Sequence, residues 1–445
     1  MTTPIYDFLR KYKASGVSRF HMPGHKGRRI LGIEALDITE VRGADVLYHA
    51  DGIIAESEAN ATALFGTAHT YYSTEGSTLG IKAMLGIIAK EAGLGATVLA
   101  ARNVHKAFIY AAAELDLTVE WIYPAEASHL CSCQITADDL RAAILSAKEK
   151  PDAVYITTPD YLGGMLDVRA LADECKRQDI PLLVDNAHGA YLAFVDENLH
   201  PIKLGAAMCC DSAHKTLPVL TGGAYLHIAK GYDKYTEGAR DILAAFASTS
   251  PSYLTLASLD LCNLYLATEA RKRIKKCKEK VTYIKALLED TDSCEPLKIV
   301  IRAPRFLNTG VGIAEILRKH RIECEFADGE FAVLMASPQN TERDFKRLKT
   351  AAKEIKATAA RDNDEHRTAQ SPIVSRPTRV VSIREAVFAK AEAVEVDLAL
   401  GRVCAAPTVS CPPAVPVVVS GELIGEAEIK LFKKYGIDTV SVVKK

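Results

Sequence analysis

Between residues 76 and 228 short apolar segments alternate with segments of helical period, and few architectures accommodate that pattern. TVLAA (97–101), AVYIT (153–157) and PLLVD (181–185) are apolar at nearly every position instead of every second one. Strands of that kind are covered on both faces. TVEWIY (118–123), AMCCDS (207–212) and GAYLHIA (223–229) read as further strands. Between the strands lie STLGIKAMLGIIAKEAG, HKAFIYAAAELD, ADDLRAAILSAKEK and VRALADECKRQ, each with helical spacing of its apolar residues. The alternation predicts an α/β fold with a mostly parallel sheet and helices on both sides. In such sheets ligands sit off the carboxyl ends of the strands, which is where chemistry is to be sought.

The rest of the chain follows a different plan. Residues 254–290 read as one long helix. A second α/β pattern follows, with strands in LKIVIR, IECEFA and FAVLMAS and helices near 311–320 and 341–357. The polar stretch ATAARDNDEHRTAQSP reads as a linker. The expected organisation is an N-terminal segment (1–60), a large domain (61–260), a small α/β domain (261–357), a linker (358–374) and a small C-terminal module (375–445).

Composition narrows the function classes. Lys plus Arg number 55 against 56 Asp plus Glu, a net charge of -1, which argues against a dedicated nucleic-acid or anionic-membrane surface. No apolar run reaches the roughly 18 residues of a membrane helix, and the N-terminus lacks the apolar core of a signal peptide. Eleven cysteines, an odd number, fit reduced thiols in the cytoplasm. Cys131 and Cys133 form a CxC and Cys209 and Cys210 are adjacent, yet neither has a second pair at zinc-site spacing. No metal is therefore expected, and the adjacent pair reads as small buried strand residues.

Three points on the chain carry chemistry in combination. Asp185 follows directly on a buried strand, where a carboxylate is costly unless a cation meets it. Lys215 stands at the end of another strand, ahead of a Thr-Gly-Gly turn. Gly76, Ser77 and Thr78 open a helix, where N–H and hydroxyl groups can bind a phosphate. Taken singly, Asp185 reads equally as a turn residue and the Gly-Ser-Thr as an N-cap. Together they are the fixed points of a pyridoxal phosphate site: donors for the phosphate, an anion for the pyridine nitrogen, an amine for the aldehyde. His105, at another strand-to-helix junction, is placed to stack on the ring.

Eight segments in order make the pattern specific. They are RFHMPGHKG, YYSTEGSTLGIKAML, ARNVHKAF, ITTPDYLGGMLDV, LLVDNAHGA, DSAHKTLPVLTGGA, ASTSPSY and the tail SIREA…GRVCAA…PPAVP…GE. The chain thereby resembles the Orn/Lys/Arg decarboxylase family of fold-type I pyridoxal phosphate enzymes, most closely its short Gram-positive branch. The resemblance implies a transferase-like large domain with a mostly parallel sheet, a small α/β domain and a small C-terminal domain. It implies that Lys215 is the Schiff-base lysine, that Asp185 pairs with the pyridinium nitrogen and that His105 stacks on the ring. Gly76, Ser77, Thr78, Ser212 and His214 would lie around the phosphate, and His188 would face the ring or its O3′. Thr249 and Ser250, in TSPSY, would reach the cofactor of a neighbouring subunit, making a homodimer or a larger even-numbered assembly with shared active sites.

The activity so implied is decarboxylation of a basic L-amino acid, with arginine to agmatine in polyamine metabolism the first expectation and lysine or ornithine the alternatives. His25 or Lys26 would meet the substrate carboxylate. Asp160, Glu422 and Glu330 are the carboxylates considered for its distal cation. Several positions depart from the family pattern: Asn186 and Tyr191 in DNAHGAY, Asp160 and Leu162 in PDYLG, Cys411 and Ala414 in the tail. Ala414 in particular replaces a glycine and its conformational freedom. The rival readings are a fold-type I aminotransferase and a pyridoxal-binding protein without turnover.

Overall fold

The computed structural model describes all residues except 94, 125–128, 291–292, 307, 360–374, 408–413 and 445. The expected linker therefore lies almost entirely outside the described residues, as does Cys411. Two compact units interleave along the chain: Met1–Glu91 with Val168–Ile274, and Ala92–Asp167 with Lys275–Lys445. The architecture is α/β with a mostly parallel central sheet, as the alternating pattern predicts.

The first unit holds strands β1 (His69–Ser73), β5 (Leu182–Asp185), β6 (Met208–Asp211) and β7 (Ala224–Ile228) in the order β1-β7-β6-β5. β5 and β6 run parallel, with Asp185 opposite Cys210. β7 is antiparallel to both its neighbours. Every residue of β5, β6 and β7 is buried, which is why these strands read as unbroken apolar runs. The helix Gly76–Ala92 packs closely on β6. A Cβ on Gly80 would come within 2.7 Å of the Cβ of Cys210, so only glycine permits that approach. Three more helices, Pro4–Ala14, Ile53–Phe65 and Tyr253–Thr268, meet at Asp260. Its carboxylate accepts from Tyr6 N at 3.0 Å and Ser57 Oγ at 2.6 Å.

The second unit holds β2 (Thr97–Ala101), β3 (Thr118–Ile122) and β4 (Ala153–Thr157), with β2 parallel to both others. It also holds an antiparallel sheet ordered β8-β10-β9, from Lys298–Arg302, Phe331–Met335 and Phe326–Ala327. β11 (Ala391–Glu395) and β12 (Thr439–Val443) form an antiparallel pair over a small core that includes Val418, Leu431 and Phe432. The helix Ala137–Ser146 begins with a reciprocal cap, in which Thr136 Oγ1 accepts from Asp139 N while the Asp139 carboxylate accepts from Thr136 N.

Two expectations about elements change. The long helix expected over 254–290 is two helices, Tyr253–Thr268 and Ala270–Leu288. The backbone leaves the helical region at Glu269, at φ -121°. The break falls where a helix buried on most sides gives way to the lysine- and arginine-rich run ARKRIKK, which belongs in water. Of IECEFA only Phe326–Ala327 is a strand; the segment before it carries Glu323 and Glu325, whose side chains reach Arg318 and Tyr161. Among the described residues no helix is long and apolar enough to cross a membrane.

Candidate functional site

The ends of β5 and β6 and the start of the helix Gly76–Ala92 build a polar corner in the first unit. β5 ends at Asp185, which is 2% exposed. One of its oxygens accepts from Ala187 N at 3.1 Å, and the Cys210 thiol approaches the same oxygen at 3.9 Å. Burial, then the charge of Asp185, pushes the Cys210 thiol well up, so this thiol stays protonated. The chain turns at Asn186–Gly189 and delivers His188, also buried.

β6 ends at Asp211 and runs into the short helix Ala213–Thr216, which carries Lys215. Lys215 Nζ lies 3.0 Å from His188 Nε2. The residue as a whole is exposed, while Ser212 before it and Thr216 after it are buried. Lys215 thus stands at the open edge of a buried polar corner. Burial pushes His214 below its ordinary range and the charge of Lys215 acts in the same direction, against the Gly223 carbonyl that it meets at 3.1 Å.

The hydroxyls of Ser77 and Ser212 meet at 2.8 Å, joining the first turn of the helix Gly76–Ala92 to the end of β6. That turn contains no acidic residue, and Thr78 in it is exposed. Gly222, at φ +94°, closes the corner: its carbonyl accepts from Gly76 N at 2.7 Å, and a Cβ there would strike the Thr74 carbonyl at 2.4 Å. Ser248 N donates to Glu75 at 2.8 Å, which brings the exposed Thr249 and Ser250 beside the same turn. The donor set fits pyridoxal phosphate. Hydroxyls stand at a helix N-terminus, a buried carboxylate stands at a strand end, and a lysine amine is paired with a histidine.

The remaining candidates lie on other elements. In the first unit, His25 Nε2 pairs with Asp37 at 3.1 Å, and the exposed Lys26 donates to the His21 carbonyl at 2.6 Å. In the second unit, His105 caps the helix Lys106–Glu114, its Nδ1 accepting from Ala107 N at 3.1 Å. Asp160 is buried and accepts from Ser132 Oγ at 2.6 Å, Gln134 Nε2 at 3.0 Å, Leu162 N at 2.9 Å and Gly164 N at 2.8 Å. Burial raises its pKa against those donors. Glu422 is buried and accepts from Arg102 at 3.1 Å and Val419 N at 2.7 Å, both on Oε2, while its Oε1 has no hydrogen-bond partner among the described residues. Glu330 pairs with Lys434 at 2.8 Å.

Sequence reasoning did not single out Ser132, Gln134 or Lys298, whose buried ammonium donates to the Asp160 carbonyl at 2.9 Å. Nothing about a lone lysine in a strand announces that role. It also passed over the residues behind Lys215. Asp211 accepts from Asn186 at 2.6 Å, His200 at 3.0 Å and His227 at 3.1 Å. Burial pushes its carboxyl up, but the two histidines outweigh burial and hold it well below the usual range. Asn186, one of the departures, thus has a buried anion as its partner; Tyr191, another, is wholly buried.

Comparison with known proteins gives this geometry a context. Residues 3–311 match the family model described as "Orn/Lys/Arg decarboxylase, major domain", and residues 365–435 match "Orn/Lys/Arg decarboxylase, C-terminal domain". An arginine decarboxylase of Bacillus subtilis is 28% identical over 97% of this chain and 93% of its own length. An arginine decarboxylase of Halalkalibacterium halodurans is likewise 28% identical, over 97% and 93%. In fold, the chain is similar to the lysine decarboxylase of Francisella novicida, with a TM-score of 0.82 at 17% identity, covering 99% of this chain and 81% of that one.

Proposed function

Because this chain belongs to the Orn/Lys/Arg decarboxylase family and is a pyridoxal-phosphate-dependent decarboxylase of basic amino acids, we propose that its substrate is L-arginine, which it converts to agmatine and CO2. The observation that carries the site assignment is the pairing of Lys215 with His188 at 3.0 Å beside the ends of β5 and β6. What supports arginine over lysine is the comparison itself. Two relatives alike over 97% of the chain at 28% identity are named arginine decarboxylases, whereas the lysine decarboxylase cited for its structure is 17% identical.

Pyridoxal phosphate, when bound, supplies a sink for the electron pair that departing CO2 leaves behind. The chain's own residues do the rest. Gly76, Ser77, Thr78, Ser212 and His214 hold the phosphate, helped by the positive end of the helix Gly76–Ala92. Asp185, fixed by Ala187 N, keeps a proton on the ring nitrogen. Lys215 anchors the aldehyde, and its Nζ is the group that returns a proton to the substrate Cα. His188 steadies that amine by sharing a proton with it. His105 is assigned to the ring face, and Thr249 and Ser250 to a neighbouring subunit's site, on family resemblance alone. Of the carboxylates considered for the guanidinium, Glu422 keeps an acceptor oxygen without a partner among the described residues, while both oxygens of Asp160 are engaged.

A panel of L-arginine, L-lysine and L-ornithine with purified holoenzyme, scored for CO2 and amine, tests the reading. Agmatine as the fastest-formed amine is expected. Faster cadaverine or putrescine overturns arginine, and keto acid without CO2 overturns decarboxylation. Lys215→Ala abolishes turnover of every substrate; a variant that keeps it removes Lys215 from the chemistry.

A further inference from the structure

Directly behind Lys215, four side chains from three parts of the first unit converge in its interior. Cys209 and Asp211 stand two apart on β6 and so share one face of the sheet. His227 of β7 lies opposite Cys209 in the antiparallel register, on that same face. His200 precedes the short helix Pro201–Leu204 and completes the set. None of the four is more than 1% exposed.

Three of their donor-to-donor separations lie near those that a tetrahedral ion imposes. Asp211 Oδ2 lies 3.0 Å from His200 Nε2 and 3.1 Å from His227 Nε2. Cys209 Sγ lies 3.8 Å from His200 Nε2, and all four donor atoms fall within 4.8 Å of one another. Zinc bonds of ordinary length set ligand-to-ligand edges of about 3.3 Å between nitrogen and oxygen and about 3.6 Å to sulfur. Movements of a few tenths of an ångström bring the edges at 3.0, 3.1 and 3.8 Å to those values.

Charge and surroundings agree with the spacing. A dication with one thiolate, one carboxylate and two neutral imidazoles sums to zero, the state that a dry interior tolerates best. The outer groups are those of a metal site. Thr70 Oγ1 meets the far ring nitrogen of His227 at 2.9 Å, and Asn186 Nδ2 holds the other oxygen of Asp211 at 2.6 Å. The ring of Phe65 walls the cluster, 4.4 Å from His227 and 5.4 Å from His200 between centroids. With four protein ligands and no open position, such a site is structural, not catalytic.

We propose that His200, Cys209, Asp211 and His227 bind a structural zinc ion that ties β6 to β7 immediately ahead of Lys215. Binding displaces the thiol proton of Cys209 and the protons otherwise shared between Asp211 and the two imidazoles. The spacing rules of the sequence miss such a site because its ligands are gathered by strand pairing, not by a short loop.

The test is elemental analysis and X-ray absorption on purified holoenzyme incubated with zinc sulfate and then desalted. About one zinc per chain is expected, with one sulfur near 2.3 Å and three nitrogen or oxygen neighbours near 2.0–2.1 Å. Cys209→Ser and His227→Gln should each cut the bound zinc at least about tenfold, whereas Cys294→Ser, at an exposed cysteine, should not. Wild-type protein with less than about a tenth of an equivalent overturns the proposal and leaves a proton-linked network. So does a first shell with no sulfur or with two or more, a reading that needs no variant to fold.

Discussion

Asp185 and Asp211 end two neighbouring parallel strands, both are buried, and the two have opposite surroundings. Asp211 is enclosed by Asn186, His200 and His227 within the fold. Asp185 is met by one backbone amide and one thiol. In the reading proposed above, Asp185 also meets a cation from outside the chain, the protonated ring nitrogen of the cofactor. On that reading the same residue type at the same strand end serves chemistry in one case and cohesion in the other.

Replacing each aspartate separates the two roles. Asp185→Asn keeps an acceptor for Ala187 N but removes the charge, so kcat should fall by about a thousandfold or more while cofactor absorbance remains. A kcat within a few-fold of wild type would break the assignment. Asp211→Asn removes an anion on which two imidazoles and an amide converge, and unfolding by denaturant should show a loss of about 3 kcal/mol. A loss under about 1 kcal/mol would make the two strand ends alike.

Asp260 supplies a third case, a buried aspartate whose close donors are neutral. Burial outweighs the bonds from Ser57, Tyr6 N and Ile5 N and raises its pKa to about 6. The folded state then binds more protons than the unfolded between about pH 4 and 6, so stability falls as pH rises through that window. Asp260→Asn should flatten the fall by about 2 kcal/mol between about pH 4 and 7, read from denaturation midpoints. Asp211, held low, contributes with the opposite sign: its share is present above about pH 4 and is lost in acid. The smallest effect tests the enclosure itself. Asn186→Ala leaves one oxygen of Asp211 short of its donor and should cost about 1.5 kcal/mol, with Asn186→Ser restoring part of it.

The parallel core was legible because its strands are buried on both faces, which writes TVLAA and AVYIT as continuous apolar runs. Lys215, Asp185 and the Gly76–Thr78 turn were legible because strand ends and helix starts are local features. What escaped is what strand pairing alone creates. His227 faces Cys209 through an antiparallel register, and no spacing along the chain encodes that meeting. Glu269 ends a helix in the middle of helix-forming residues, where the change in burial decides and local propensity does not. Ala414 was noted for replacing a glycine, and the backbone there is at φ +59°, the region in which glycine carries the least strain.

The clasp between Gly222 and the Thr74–Gly76 turn bears on when the enzyme can first hold its cofactor. Its two halves lie about 150 residues apart, with β5 and β6 made in between. At ordinary translation speeds of about 5–20 residues per second, the phosphate cup waits roughly 7–30 s for its second half to be made. On the site assignment proposed above, cofactor capture waits until Gly222 has been made, and a chain truncated before it should emerge from the ribosome without the cofactor.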